Sequence, residues 1–137
     1  MFGLMRNLYH HLKKKGGPKE CKLVFLGLDN AGKTTCVAAL KGEPTEDATQ
    51  TWGFNSETVD LSKFAVEVYD LGGGKSIRRM WENYYAEIHG IIFVVDASDE
   101  SRLQEAKTTF QEVLWHAYAR VSRPALTVCL LSFSQIF

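Results

Sequence analysis

Gly27-Leu28-Asp29-Asn30-Ala31-Gly32-Lys33-Thr34-Thr35 has the spacing of a phosphate-binding loop: glycine, four residues, Gly-Lys, then Ser or Thr. The chemistry sets that spacing. Glycines let the backbone wrap closely enough for its N–H groups to point inward at a phosphate chain. Lys33 can then reach the outer phosphates and the Thr34 hydroxyl can ligate magnesium. The helix that begins at Lys33 directs the positive end of its dipole to the same point. The flanks supply the setting. Residues 21–26 form a short β-rich apolar run, and residues 34–40 have helical character, with Gly42 placed to stop the helix. Strand, loop and helix in that order separate a phosphate loop from an ordinary Gly-rich turn.

Further along, residues 55–61 and 64–70 are two β-rich runs separated by Ser62-Lys63, a hairpin spacing. In the second run Phe64, Val66 and Val68 alternate with Ala65, Glu67 and Tyr69. Leu71-Gly72-Gly73-Gly74 breaks the strand, and residues 77–87 read as a short aromatic helix. Residues 90–96 are a continuous apolar run ending in Asp96, the mark of a strand buried on both faces of a parallel sheet. Ser98 and Asp99 can cap the next helix, whose stripe is Leu103, Ala106, Phe110, Val113, Leu114 and Ala117. Residues 124–131 read as one more buried strand. Strands alternating with helices, with one early hairpin, predict an α/β fold: a mostly parallel sheet covered by helices on both faces. The phosphate loop then sits at the carboxyl edge of that sheet, where such folds bind ligands.

The 137 residues carry 16 basic and 16 acidic side chains, so the chain has no electrostatic footprint of a nucleic-acid binder. Cys21, Cys36 and Cys129 have no metal-ligand spacing and fit reduced thiols of a cytoplasmic protein. The start differs from the rest. Met1, Leu4, Met5, Leu8, Tyr9 and Leu12 recur at helical spacing, followed by Lys13, Lys14 and Lys15. Residues 1–15 can therefore lie on an anionic membrane surface or pack into a groove of their own domain; periodicity serves both. Gly16-Gly17-Pro18 breaks that helix and forms a hinge, which divides the chain into an amphipathic segment, 1–18, and a domain, 19–137.

Three further stretches can meet the phosphate loop. Asp70 ends a strand just before glycines, where a magnesium-linked aspartate would stand. Gly73 can offer its N–H to a γ-phosphate with no side chain in the way, and Thr51 can close on magnesium when a triphosphate is bound. Alone, Asp70 is as good a strand-end turn residue and Thr51 an ordinary loop threonine. Their order along the chain favours the site, and loops ordered by a triphosphate make a switch.

The run of motifs resembles one family. Residues 27–35, Thr51-Trp52-Gly53-Phe54-Asn55, Asp70-Leu71-Gly72-Gly73-Gly74, Met80-Trp81-Glu82-Asn83-Tyr84-Tyr85 and residues 93–99 look like the ADP-ribosylation-factor-like (Arf/Arl) small GTPases, which are P-loop NTPases. The Gly-rich third motif and Asp29-Asn30 point to the Arl-thirteen, ciliary type. The resemblance implies GTP or GDP with Mg2+ as ligands. Residues 27–35 and 70–74 would contact nucleotide, Thr34 and Thr51 would hold magnesium, and Asp70 and Gly73 would sense the γ-phosphate. Regulators or effectors would read the Thr51 loop and residues 72–85, at a membrane or in a cilium.

Two departures bear on activity. Gly74 stands where most of the family has the glutamine that orients attacking water, so hydrolysis is expected to be slow. The strand 124–131 should lead into an Asn-Lys-x-Asp motif that reads guanine, yet the chain continues Leu131-Ser132-Phe133-Ser134-Gln135-Ile136-Phe137. The expectation is a C-terminally truncated GTPase domain with an exposed sheet edge. Its function is either a GTP switch with weak hydrolysis or a non-enzymatic chain that binds a membrane or protein with little nucleotide affinity. A phosphate-loop kinase leaves the second and third motifs unexplained.

Overall fold

The computed structural model describes His10 and residues 21–45, 51–60, 65–120 and 127–132, the last stretch in its main chain. The amphipathic reading of residues 1–15, apart from His10, the hinge at 16–18, the hairpin turn at Ser62-Lys63 and the tail after Ser132 lie outside the described residues. Among the described residues five strands form one sheet: β1 (Cys21–Leu26), β2 (Phe54–Asp60), β3 (Ala65–Leu71), β4 (Gly90–Val95) and β5 (Thr127–Ser132). They lie in the order β2-β3-β1-β4-β5, with β2 antiparallel to β3 and every other pair parallel. The expected hairpin and parallel sheet are both present, and β5 forms one edge of the described sheet.

Alternation along β1 divides the core. Leu23 and Phe25 face helix α1 (Lys33–Lys41) and pack with Cys36, Val37 and Leu40, and with Val66, Val68, Ile92 and Val94 of the neighbouring strands. Val24 and Leu26 face the other way, onto Trp81, Tyr85, Ile88, Ile91 and Phe93 and onto Val113 and Ala117 of helix α2 (Leu103–Arg120). Each central strand is therefore buried on both sides, which its unbroken apolar sequence requires. Gly42 ends α1 in the left-handed conformation, φ 74°, its N–H donating to the carbonyls of Ala38 and Ala39, a conformation glycine adopts without steric cost.

Two local expectations are corrected. The segment expected to be a helix over 77–87 is a 3-10 helix over Arg78–Tyr84. Its side chains are committed elsewhere: Trp81 Nε1 donates to the Gly72 carbonyl at 3.0 Å and Arg78 Nε to the Gly73 carbonyl at 2.8 Å. Ser98 and Asp99 do not cap α2 directly. A 3-10 turn, Glu100–Arg102, intervenes, and the Asp99 carboxylate accepts from the Ser101 hydroxyl instead of a backbone N–H. Leu103, at the start of α2, is correspondingly exposed, whereas Ala106, Val113 and Ala117 of the expected stripe are buried.

Candidate nucleotide-binding site

The sheet delivers the site. Pairing of Phe25 with Asp70 and of Leu26 with Phe93 brings the ends of three strands to one edge, around the loop that leaves β1. The loop needs its glycines. Gly27 has φ 148°, and a Cβ there would collide with the Val94 carbonyl. Gly32 (φ 93°) and Asn30 (φ 61°) supply the other left-handed turns before α1. Leu28 and Ala31 bury their side chains beside Ala106, and Leu71 buries its own on the α2 face of the sheet. Contact from these three to a ligand therefore rests on their main chains.

Lys33 is 6% exposed, and its Nζ donates to the carbonyls of Gly27 (3.1 Å) and Leu28 (2.6 Å). Burial pushes its ammonium down to about 8, against the opposing pull of Asp70 and Asp29. The cation is curled back on the loop's own carbonyls, which are weaker partners than phosphate oxygens.

Thr34, Thr51 and Asp70 converge from three elements. Thr34 Oγ1 donates to Asp70 Oδ2 at 2.6 Å and lies 2.8 Å from Thr51 Oγ1, itself 3.4 Å from the same Oδ2. The second carboxylate oxygen, Oδ1, is buried without a hydrogen-bond partner. Burial raises the Asp70 carboxyl above its ordinary range, with the Thr34 hydroxyl and the Lys33 ammonium opposing. Two hydroxyls and an orphaned carboxylate oxygen at one point are the hard oxygen donors that magnesium takes. Among the described residues no three His, Cys, Asp or Glu side chains could hold a metal by themselves, so an ion here would draw its remaining ligands from phosphate and water. The donor set fits magnesium.

The glycine triplet is fastened over the loop. A Cβ on Gly73 would collide with main-chain atoms of Gly27, Leu28 and Asp29, and one on Gly72 would meet the Thr51 carbonyl at 2.7 Å. Gly72 N–H donates to the Gly53 carbonyl at 2.8 Å. Gly74 has open space beside it, with only Ile77 Cδ1 at 4.0 Å. The sequence reading missed the ionic support behind this arrangement. Arg102 Nη2 donates to Asp29 Oδ1 (2.8 Å), and Arg102 and Arg78 both reach Glu105 (3.1 and 2.9 Å). No local pattern marks a contact between residues 73 positions apart.

Comparison with known proteins agrees with this geometry. The profile of the ADP-ribosylation factor family matches residues 6–130. This chain belongs to that family. Among Arf-family relatives, ADP-ribosylation factor-like protein 13B of Chlamydomonas reinhardtii is 48% identical over 135 residues, covering 98% of this chain and 25% of its own length. ADP-ribosylation factor-related protein 1 of Rattus norvegicus is 39% identical over 122 residues, covering 83% of this chain and 59% of its own. The solved structure of the Arl6 BBS3 small GTPase from Trypanosoma brucei with bound GppNp superposes with TM-score 0.70 at 39% identity. It covers 82% of this chain and 65% of that one. The chain thus spans a part of each relative. A mammalian SRP receptor, 20% identical with TM-score 0.70, shares the fold. The Arf-family fold, a P-loop GTPase sheet with helices on both faces, is the fold the phosphate loop predicted.

Proposed function

We propose that the chain is a GTP-binding molecular switch with weak intrinsic hydrolysis. The observation that carries this reading is the meeting of Thr34, Thr51 and Asp70 beside the buried, unpartnered Asp70 Oδ1. A loop residue, a phosphate-loop residue and a strand-end residue converge on one ion-sized point, and Gly73 lies against the same loop. Residues 27–35 would wrap the phosphates with their N–H groups, Lys33 would exchange its two carbonyl partners for phosphate oxygens, and the Gly73 N–H would meet the γ-phosphate. Thr34 and Thr51 would hold magnesium, with Asp70 anchoring both hydroxyls. An ion held there would supply positive charge to offset that of the phosphate oxygens. Gly74 offers attacking water no side chain, which supports slow hydrolysis.

Regulators or effectors would read the Thr51 loop and residues 72–85, because those are the segments that lose their anchor when the γ-phosphate leaves. The bound GppNp of the Trypanosoma relative supports a nucleotide triphosphate as ligand. Guanine preference and a ciliary or membrane-trafficking role rest on family likeness, above all to the Chlamydomonas protein. Among the described residues no helix is long and apolar enough to cross a membrane.

Titration with GTP, GDP and ATP in magnesium, followed by tryptophan fluorescence, tests the proposal. Trp81 is 2% exposed and bonded to Gly72, whereas Trp52 is 82% exposed beside Thr51. Closure by GTP should shift both signals. A folded chain whose fluorescence and melting temperature ignore all three nucleotides would refute the switch and leave a partner-binding chain.

A further inference from the structure

Asp29 is the acidic residue of the phosphate loop, and its main-chain nitrogen lies against Gly73, where a terminal phosphate would be held. A fixed carboxylate there opposes an incoming anion. The fold turns that carboxylate toward the Glu100–Arg102 turn. Arg102 Nη2 donates to Asp29 Oδ1 at 2.8 Å, and Nη1 of the same guanidinium donates to the Asp29 main-chain carbonyl at 2.9 Å. Glu105 steadies Arg102 through Nε at 3.1 Å and also receives Arg78, whose own distance to Asp29 Oδ1 is 3.8 Å. One arginine therefore grips both the side chain and the backbone of one loop residue. The side chains of Arg102, Asp29 and Glu105 are 29%, 26% and 30% exposed. Ion pairs that open to water add little to fold stability, so the bidentate grip is better explained by position and charge than by the strength of the fold.

We propose that Arg102 is a positioning residue that sets nucleotide preference. By holding and neutralising the Asp29 carboxylate, it lets the loop accept a nucleoside triphosphate over the diphosphate. The proposal rests on the nucleotide-switch reading above. The two ligands differ by about one negative charge at the end of the chain, so the effect falls on the triphosphate and shows as a ratio of affinities. Arg78, already bonded to the Gly73 carbonyl, pairs with Asp29 Oδ1 only at 3.8 Å, a longer contact than the 2.8 Å of Arg102, so it compensates the carboxylate less.

The test measures GTP and GDP affinities in magnesium for wild type, Arg102→Gln, Asp29→Asn and the double variant. Arg102→Gln should lower the GTP-to-GDP affinity ratio about tenfold, the effect of one charge at a half-exposed site. Asp29→Asn in the same chain should restore the ratio. Asp29→Asn alone removes a negative charge from the loop while Arg102 keeps Glu105 as its partner, and should raise the ratio above wild type. A role in folding alone would weaken both nucleotides alike and would not be rescued by removing the carboxylate; either result overturns the proposal. If Arg102→Gln does not fold, Asp29→Asn decides, and an unchanged or lowered ratio overturns it. Wild type that binds neither nucleotide removes the switch reading and this inference together. Wild type that binds both, with an unchanged ratio in Arg102→Gln, removes this inference alone.

Discussion

Gly73→Ala is the sharpest perturbation of the site, because a single added methyl group meets only main chain. Neither Gly73 nor Gly74 adopts a positive φ, so alanine suits the backbone at both and the difference lies in their surroundings. At Gly73 the new Cβ would sit closer than 3.0 Å to the Leu28 carbonyl carbon, the Asp29 nitrogen and the Gly27 oxygen. At Gly74 the nearest atom is Ile77 Cδ1 at 4.0 Å, an ordinary contact. No rotamer relieves the first collision. The glycine triplet and the phosphate loop must part by roughly 1 Å, an overpacking cost of about 2–3 kcal/mol. Parting also strains the bonds that hold the triplet down, from Gly72 to Gly53 and from Trp81 to Gly72. For a domain of this size the cost corresponds to a melting temperature lower by roughly 6–12 °C. Melts followed by circular dichroism read the stability, and GTP titration reads the γ-phosphate contact, which should weaken more than GDP binding. Gly74→Ala serves as control and should change neither by a measurable amount. Gly73→Ala melting within a degree of wild type, with GTP affinity intact, would refute the close approach of triplet and loop.

Other outcomes follow from the same geometry. Gly74→Gln should fold, given the open space at Gly74, and should raise single-turnover GTP hydrolysis roughly 10- to 100-fold by orienting water; an unchanged rate would show that another group limits the step. Asp70→Asn removes a buried carboxylate whose folded pKa is raised, a group that lowers stability as pH climbs through its titration. The nucleotide-free chain should therefore melt higher than wild type at neutral pH while nucleotide binding loses its magnesium dependence; chelator titrations and melts check both. The pH profile has two opposing parts. Lys33 falls from 10.5 to about 8 on folding, so the unfolded chain binds the extra proton between those values and stability rises with pH there. Cys21 and Cys36 rise from 9.0 to about 11 and about 12, so the folded chain keeps their protons and stability falls above pH 9. Reduced protein should melt highest near pH 9, with slopes of order 1 kcal/mol per pH unit on either side; a steady fall from pH 7.5 would contradict the burial of Lys33.

Most of the fold was legible because it is local. The apolar run before Gly27, the loop spacing and the stop at Gly42 define strand, turn and helix within about two dozen neighbouring residues. A mostly parallel sheet with one hairpin then follows from alternation of strands and helices, whereas the strand order is seen only in the structure. Thr34, Thr51 and Asp70 were legible as candidates because their order along the chain is that of a phosphate site, and the structure brings their oxygens together. The short helix expected over 77–87 is present over Arg78–Tyr84, but its 3-10 form was not legible, because periodicity cannot register that Trp81 and Arg78 are tied to the carbonyls of Gly72 and Gly73. Leu103 was expected on the buried stripe, but it directly follows the turn at Glu100–Arg102 and is exposed. The Arg102–Asp29 grip was not legible at all. Its partners share no element, and a lone arginine at a helix start reads as a solvated charge.

The main chain of Gly72 has a mechanical consequence. Its N–H is bonded to the Gly53 carbonyl, beside Thr51, and its C=O is bonded to the Trp81 indole. Tyr84, at the far end of that segment, lies 5.4 Å from Tyr69 and 6.0 Å from Phe54. One residue thus joins two stretches that would otherwise relax independently. Release of either should pull on the other, so that loss of the terminal phosphate is reported by both in a single kinetic phase. A protein touching only one of them would still learn the state of the other.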